Sequence, residues 1–380
     1  MSDPPRPSAL FITTDYPPDL GGLETYSYRI ARDFPVGQLA YVAVGSDYPE
    51  PVLPRPSGNA TLLVHRGRGR LRAFAWSFRR IVSLRVSGRV DAMLHMQWST
   101  AFPSYLLRRL GLGAPYVILI HGAEFLDPGR SLLNAVKAAI FADADAVVAG
   151  SRATADLFRR TGLASRRLEV IHYGNPLDLR TTEVTPAKAP ESGVVRILCM
   201  HRLVARKGTS LLLEALSGLR ELPWSLQVVG RGEEEASLRK LARNMGLESR
   251  ISFRPPVEDS AKESLLFGTD LFVLPSLAPS GNNHMEGLGL ALLEAQSLGV
   301  AVLGARTGGI PEAIAEGRTG LLFEPGDASD LKEKLGRLIQ DAGLRSSLGT
   351  AGPAWVREGF DWKTNLGRLA ALLDEITRKS

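Results

Sequence analysis

Short apolar runs alternate with longer amphipathic stretches along the chain, and the whole scheme occurs twice. In the first half, the apolar runs lie at residues 10–14, 39–44, 92–96, 116–120, 146–149 and 168–171. In the second half, they lie at residues 194–200, 225–229, 251–253, 271–274 and 300–303. Such runs are typical of buried parallel strands, and the chain between them is long enough for crossover helices. The pattern therefore predicts an α/β protein with two parallel sheets, each with helices on both faces.

The two halves are joined by a segment of different composition. Residues 180–193 are rich in Thr, Pro, Ala and Lys and show no periodicity, which is typical of a linker. The sequence therefore predicts an N-terminal domain at residues 1–179, a linker at residues 180–193 and a second domain at residues 194–360. The last segment, residues 361–380, has the apolar spacing of a helix. A chain of 380 residues is long enough to form two domains with separate cores.

Composition indicates a cytoplasmic protein. The single cysteine, Cys199, lies in an apolar stretch, so we expect it in the core and expect no disulfide framework. The first residues carry an acid and several prolines where a signal peptide has an apolar stretch. No run approaches the ~20 apolar residues of a membrane span.

The positive net charge of +6 is unevenly distributed. Nine arginines and no acid lie between Glu50 and Asp91, and apolar residues recur at helical spacing from Leu71 to Val86. The segment predicts an amphipathic basic helix. On one interpretation this helix lies on an anionic membrane, which Arg66 to Arg89 would contact. The alternative is a helix that packs on a sheet with its arginines in solvent, which the strand-like run that follows favours. Nucleic acid is not a predicted partner, because no recognisable nucleic-acid module accompanies the charge.

One segment points to a ligand. Residues 286–298 read EGLGLALLEAQSL, in which Glu286 and Glu294 bracket a turn with glycines at Gly287 and Gly289. The glycines let the backbone approach a ligand, and a helix that starts at Leu290 directs amide donors at a diphosphate. A carboxylate one helical turn further on can accept two hydrogen bonds from a ribose diol. The alternative is a surface acid followed by an ordinary amphipathic helix.

This segment resembles the E-x7-E element of the retaining nucleotide-sugar glycosyltransferases of family 4. The family usually has Phe where Leu288 stands. The resemblance continues through Thr307-Gly308-Gly309-Ile310-Pro311-Glu312 and covers essentially the whole chain. It implies the GT-B fold, in which two Rossmann-like domains face each other across an active-site cleft. Residues 361–380 would then cross back onto the first domain.

The resemblance also implies an activity. A hexosyl group would pass from a nucleotide diphosphate sugar to a hydroxyl of a cell-envelope, lipid-linked or small-molecule acceptor, with retention of anomeric configuration. A UDP-sugar is favoured as the commonest donor in the family. The nucleotide sugar would be a co-substrate, and neither a cofactor nor a metal is expected. Residues 143–145 read Asp-Ala-Asp, but they precede a strand, so we interpret them as a turn and not as a metal site.

The second domain is expected to hold the donor. The stretch His201-Arg202-Leu203-Val204-Ala205-Arg206-Lys207-Gly208 resembles the family's G-R-L-x-x-x-K-G, with His201 in place of the glycine. By this resemblance, Arg202 and Lys207 bracket the diphosphate and stabilise the leaving group. Glu286 then contacts hydroxyls of the transferred sugar. The alternative is a basic turn in solvent.

The nucleotide base would lie beside two further turns. Gly230 and Gly232 follow a strand, but the third glycine of a nicotinamide fingerprint is missing. In the family this turn lies beside the base, as does Val257 after the next strand. Arg254 stands where the family usually has glycine.

The first domain supplies the remaining site residues by resemblance. Gly21 and Gly22 precede a helix, where backbone amides can approach a phosphate; the alternative is a flexible helix entry. His121 follows a strand and would contact the donor sugar, which makes it catalytic together with Arg202, Lys207 and Glu286. The alternative is a histidine satisfied by the backbone. For the acceptor, we predict contacts with Tyr16, Glu24, Gln97 and Glu124.

Two other classes of protein remain open on the sequence alone. A nucleotide-sugar epimerase has a similar two-domain build, but no additional acid or base for proton abstraction is evident. A non-catalytic module would bind a sugar nucleotide or a membrane surface without turnover. The two glutamates and two phosphate cations of the motifs argue against it.

Overall fold

The computed structural model describes residues 8–17, 21–35, 39–45, 61–65, 70–122, 125–126, 131–175, 177, 193–278 and 285–379. These residues form two compact units. The first comprises Met1–Gly174 together with Trp362–Ser380, and the second comprises Asn175–Asp361. The predicted linker lies almost entirely outside the described residues.

The first unit is built on a seven-stranded sheet in the order β3-β2-β1-β4-β5-β6-β7, and every strand pair is parallel. The strands are β1 (Ala9–Thr13), β2 (Leu39–Gly45), β3 (Thr61–His65), β4 (Ala92–His95), β5 (Tyr116–Ile120), β6 (Ala146–Ala149) and β7 (Leu168–Val170). The helices are α1 (Gly22–Asp33), α2 (Arg70–Val86), α3 (Phe102–Arg109), α4 (Ser131–Asp143), α5 (Arg152–Arg160) and the C-terminal helix α13 (Trp362–Arg378). The chain runs outward from β1 to β3 and then returns to β4 beside β1, which makes the β1/β4 boundary the topological switch point.

The second unit repeats this scheme with six parallel strands in the order β10-β9-β8-β11-β12-β13. The strands are β8 (Val195–Met200), β9 (Trp224–Val229), β10 (Ile251–Arg254), β11 (Leu271–Leu274), β12 (Ala301–Ala305) and β13 (Gly320–Phe323). The helices are α6 (Thr209–Ser217), α7 (Glu235–Asn244), α8 (Asp259–Phe267), α9 (Leu290–Ser297), α10 (Ile310–Ala313), α11 (Ala328–Gln340) and α12 (Ala342–Gly359). Here the switch point lies between β8 and β11.

All eleven predicted strands are present, and two strands were missed. β3 has only three apolar residues in its centre and is followed by arginine and glycine, so it lacks a clear strand pattern. β13 has only four residues and begins with Gly320, a residue type that is depleted in strands. A Cβ atom at Gly320 would lie 2.5 Å from a methyl carbon of Val302, so close packing on β12 explains the glycine at this position.

The basic segment contains the predicted helix α2, and apolar residues in the middle of this helix pack on the core. Ile81 and Leu84 are buried, and Phe78 and Val82 pack against the core cluster of the first unit. Arg79 and Arg80 are exposed. Val86, at the end of the helix, is 72% exposed. Over residues 75–85, where side-chain burial is described, the apolar side of α2 therefore packs on the core and Arg79 and Arg80 face solvent, in line with the favoured interpretation.

The C-terminal helix α13 belongs to the first unit. Arg167, just before β7, donates to Glu375 of α13 at 2.8 Å. Trp362 packs so closely on Gly174 that a Cβ atom there would lie 2.4 Å from the Trp362 Cα atom. No helix among the described residues is both long and apolar enough to cross a bilayer.

Candidate active site

An ion pair lies at the switch point of the second sheet. Lys207 follows β8 and Glu286 follows β11, and the lysine Nζ donates to Glu286 Oε2 at 2.5 Å. The Ser276 hydroxyl donates to the same oxygen at 3.3 Å. Burial alone would raise the pKa of Glu286, but the positive charges of Lys207 and Arg206 lower it below its usual range. The carboxylate is therefore ionised at neutral pH.

The loop that carries Lys207 packs against the segment after β11 and is hydrogen-bonded to it. Gly208 adopts the left-handed conformation with φ 66°, and a Cβ atom there would lie 2.0 Å from the Pro275 carbonyl oxygen. The Leu277 N–H donates to the Arg206 carbonyl at 2.9 Å. Only glycine permits this approach, which brings the ends of two neighbouring strands together behind the ion pair.

The backbone of Glu286 is held by the Gly308-Gly309 turn. The Gly309 N–H donates to the Glu286 carbonyl at 2.9 Å. Cβ atoms at Gly308 and Gly309 would lie 2.2 Å from the carbonyl oxygen of Glu286 and 2.0 Å from that of Gly287, respectively. The turn therefore packs directly on the backbone that positions the carboxylate.

His201, where the family has glycine, closes the cation loop at residues 201–208. Its Nδ1 donates to the Arg202 carbonyl at 2.9 Å, since a carbonyl can only accept. Its Nε2 faces Cys199 Sγ at 3.1 Å and Thr209 Oγ1 at 3.4 Å. Burial and the positive charge of Lys207 lower the pKa of His201 to about 4. A neutral ring thus joins the first residues of the loop to the first residue of α6.

The remaining cations of the loop differ in exposure. The Arg202 side chain is exposed, whereas Arg206 is half-buried. Burial and the nearby Arg202 lower the pKa of Arg206 from its usual value. Because two like charges are held together there, an anionic group bound beside them would be stabilised.

Helix α9 carries the second glutamate of the motif. It begins at Leu290, after Gly289 in the left-handed conformation with φ 79°. Glu294 is only 4% exposed and lies 3.4 Å from the ammonium of Lys262, on α8. The sequence analysis did not single out Lys262, because the pairing depends on how two helices pack and leaves no local signal.

The glycines predicted beside the nucleotide base have a packing role. A Cβ atom at Gly230 would lie 1.9 Å from the His201 carbonyl oxygen, and one at Gly232 would lie 2.0 Å from that of Leu203. These glycines therefore let the turn after β9 pack on the cation loop. Val257 is half-buried after β10. Contacts of these three residues with a base stay predictions.

The predicted phosphate contact in the first unit has a carboxylate beside it. Gly21 precedes α1, and a Cβ atom there would lie 2.2 Å from Glu24 Oε2. The Glu24 side chain thus folds back over the helix start, where its charge is favourable to the helix and unfavourable to a second anion. Phosphate binding at Gly21 and Gly22, and acceptor binding by Glu24, stay predictions.

His121 is 6% exposed, and both of its ring nitrogens have protein partners. Nε2 donates to the Met96 carbonyl at 2.8 Å, and Nδ1 accepts from the Tyr173 hydroxyl. The ring stacks on Tyr173 at 5.5 Å between centroids. Burial lowers the pKa of His121 to about 4, so the ring is neutral. One ring nitrogen thus pairs with the backbone and the other with a side chain. Contact of His121 with a donor sugar stays a prediction.

Of the four residues predicted to bind the acceptor, Gln97 forms a hydrogen bond with the carboxylate of Asp15. Its Nε2 donates to Asp15 Oδ2 at 2.5 Å. Tyr16 is only 3% exposed, and burial raises its pKa. Glu124 lies outside the described residues. The sequence analysis did not select Asp15.

Both carboxylates of the Asp-Ala-Asp sequence have protein partners. Arg108 donates to both carboxylate oxygens of Asp145 at 2.6 and 2.9 Å, and Asp143 accepts from the Tyr116 hydroxyl at 3.2 Å. In the part of the chain that the structure describes, no cluster of three or more His, Cys, Asp or Glu side chains is arranged to hold a metal ion.

Sequence comparisons assign each unit. Residues 182–355 match the model of "Glycosyl transferases group 1", and residues 20–179 match that of "Glycosyltransferase Family 4". The chain belongs to the family 4 glycosyltransferases. Its two Rossmann-like units are those of the GT-B fold.

Two bacterial relatives of this glycosyltransferase are named mannosyltransferases. A GDP-mannose-dependent monoacylated alpha-(1-6)-phosphatidylinositol monomannoside mannosyltransferase of Corynebacterium glutamicum is 27% identical and aligns over 97% of this chain and 98% of its own. A GDP-mannose-dependent alpha-(1-6)-phosphatidylinositol monomannoside mannosyltransferase of Mycolicibacterium smegmatis is 33% identical. That second alignment spans about half of each protein, 47% of both chains.

Two solved structures share the fold at low sequence identity. Sucrose-phosphate synthase from Thermosynechococcus elongatus superposes with a TM-score of 0.79 over 99% of this chain and 100% of its own, at 18% identity. Anabaena HepE in complex with UDP and glucose gives 0.78 over 97% and 99%, at 21% identity.

Proposed function

We propose that this glycosyltransferase moves a mannosyl group from GDP-mannose to a hydroxyl of an inositol-containing, lipid-linked acceptor, with retention of anomeric configuration. The Lys207–Glu286 pair at the second switch point carries the proposal, because it sets a fixed cation and an ionised carboxylate side by side where doubly wound sheets bind ligands. The printed names of the two mannosyltransferases favour GDP-mannose over the UDP-sugar expected from the sequence. The same names favour an inositol-containing lipid as the acceptor.

The cation loop suits a diphosphate leaving group. As the glycosidic bond breaks, negative charge builds on the leaving phosphate, and Lys207, Arg202 and Arg206 stabilise that charge. Preorganised cations in a partly dry site contribute several kcal/mol to such a step. The neutral His201 adds no charge and holds the loop closed. No metal is required, since the loop supplies the positive charge.

The two glutamates have separate tasks in this proposal. Glu286 stays ionised and accepts hydrogen bonds from hydroxyls of the transferred sugar. Glu294, on α9, accepts from the ribose diol while Lys262 offsets its charge. The acceptor hydroxyl attacks from the face that the diphosphate leaves, and a phosphate oxygen receives its proton. No side chain acts as the base.

A transfer assay tests the proposal. Purified protein without added metal receives GDP-mannose, UDP-glucose or ADP-glucose together with phosphatidylinositol monomannoside in micelles or D-inositol 3-phosphate, and products are identified by mass spectrometry. A mannosylated product from GDP-mannose alone supports the proposal. A product from UDP-glucose alone restores the donor expected from the sequence. Interconversion of the nucleotide sugar without any acceptor identifies an epimerase, and binding without turnover identifies a non-catalytic module.

A further inference from the structure

The first sheet has a switch point of its own, between β1 and β4. In doubly wound sheets, ligands bind outside the carboxyl ends of the strands at such a point. In the second unit, the equivalent place holds the Lys207–Glu286 pair. The residues that follow β1 and β4 are therefore the first place to look for a ligand of the first unit.

A second polar pair occupies this place. Asp15 comes two residues after the end of β1, and Gln97 comes two residues after the end of β4. Gln97 Nε2 donates to Asp15 Oδ2 at 2.5 Å, so the two side chains bridge the switch point. Thr14 Oγ1 donates to Gln97 Oε1 at 3.4 Å. Both Asp15 and Gln97 are half-buried, which leaves each side chain partly accessible to solvent.

The backbone of Asp15 is fixed from within the unit. Its N–H donates to Thr13 Oγ1 at 3.0 Å, and the same hydroxyl donates to the Asp15 carbonyl at 2.9 Å. Thr13 Oγ1 also lies 3.1 Å from the hydroxyl of the fully buried Ser27, on α1. The carboxylate is thus preorganised, because its chain segment is held by both the sheet and the helix.

We propose that Asp15 and Gln97 bind hydroxyl groups on the polyol ring of the acceptor and so determine acceptor specificity. A carboxylate accepts hydrogen bonds from two neighbouring hydroxyls, and an amide both donates and accepts. The negative charge of Asp15 disfavours a phosphate at the same place. The pair therefore selects a neutral, hydroxyl-bearing ring, and any phosphate of the acceptor binds elsewhere. This inference rests on the proposed function, because it assigns the acceptor half of the same reaction.

The test compares two isosteric substitutions on the same pair of strands. Asp15→Asn removes the negative charge at the carboxyl ends of β1 and β4. Asp91→Asn is the matched control, because Asp91 lies just before β4, at the amino ends of the strands, and accepts from the Ser8 N–H at 2.9 Å. The readouts are the acceptor KM, the KM for GDP-mannose and the affinity for GDP-mannose by calorimetry. Gln97→Leu is the second variant at the site.

Loss of a hydrogen bond to a charged group predicts an acceptor KM about 10- to 100-fold higher in Asp15→Asn. The donor affinity should stay within about twofold, and Asp91→Asn should match the wild type in every readout. An unchanged acceptor KM in both Asp15→Asn and Gln97→Leu overturns the inference. An equal rise of the acceptor KM in Asp91→Asn also overturns the inference, and so does a weaker affinity of Asp15→Asn for GDP-mannose. Failure of the proposed function is distinct, because it appears in the wild-type protein as absence of transfer.

Discussion

Removal of Lys207 should change both the stability of the second unit and its pH dependence. In the wild type, the pKa of Glu286 is lowered, so the pair contributes stability that is present above the unfolded pKa of Glu and lost as pH falls through the folded pKa. In Lys207→Met, burial becomes the dominant influence and raises the pKa of Glu286. The difference in stability between the two proteins should therefore grow from pH 5 to pH 8.

The size of this effect follows from the burial of the pair. The Lys207 and Glu286 side chains are 11% and 15% exposed, so the ion pair is largely withdrawn from solvent. Removing one partner of a buried ion pair lowers the free energy of unfolding by about 3–5 kcal/mol. Because both side chains keep some exposure, we expect a loss of about 3 kcal/mol at neutral pH. For a unit of this size, that corresponds to a melting temperature lower by roughly 6–12 °C.

The assay is thermal unfolding at pH 5, 6.5 and 8 for the wild type, Lys207→Met, Glu286→Gln and the double variant. The double variant should be more stable than Lys207→Met at pH 8, because it leaves no uncompensated charge. Lys207→Arg keeps the cation and serves as the matched control. A Lys207→Met protein that melts within about 1 °C of the wild type at every pH would refute the reasoning.

Three further predictions concern the surroundings of the site. Gly309→Ala adds a methyl group against the Gly287 carbonyl and should lower kcat at least about tenfold, since small misplacements of reacting groups are costly; Gly359→Ala, whose added methyl meets no atom, should keep wild-type kcat. His201→Gly, the residue typical of the family, should raise the donor KM about 5- to 10-fold through loss of the Arg202 carbonyl bond, and an unchanged KM would remove His201 from the account. The alternative role of α2, contact with an anionic membrane, has its own test: under that alternative, replacing both Arg79 and Arg80 with serine weakens binding to vesicles with 30% anionic lipid by about 2 kcal/mol in a flotation assay, and equal flotation of both proteins excludes this surface.

Much of the fold could be predicted because parallel strands leave a strong local signal. Runs such as residues 116–120 and 271–274 are almost entirely apolar and end where a polar motif begins, so both sheets could be placed. β3 was missed because its short apolar centre lies next to an arginine-rich stretch. The spacing of apolar residues predicted the helix α2. That Ile81 and Leu84 are buried in the core depends on tertiary packing, which the sequence pattern does not show.

The candidate site was predicted unevenly, for a physical reason. Lys207 and Glu286 lie in motifs with fixed spacing, and the structure brings them into contact. The Asp15–Gln97 and Lys262–Glu294 pairs join segments that are distant in sequence, so neither leaves a local pattern. Gly230 shows the converse case, where a pattern suggests a ligand and the structure shows backbone packing.

The most direct test of the central claim is calorimetric titration of the full chain with GDP-mannose, with UDP-glucose and with both free nucleotides, in the absence of metal. The account predicts saturable binding of GDP-mannose with at least about tenfold preference over UDP-glucose. It also predicts about tenfold weaker binding in Glu294→Gln, because a hydrogen bond to the ribose is lost. Binding of none of these compounds, or equal affinity in the wild type and Glu294→Gln, would contradict the assignment of the donor site to the second unit.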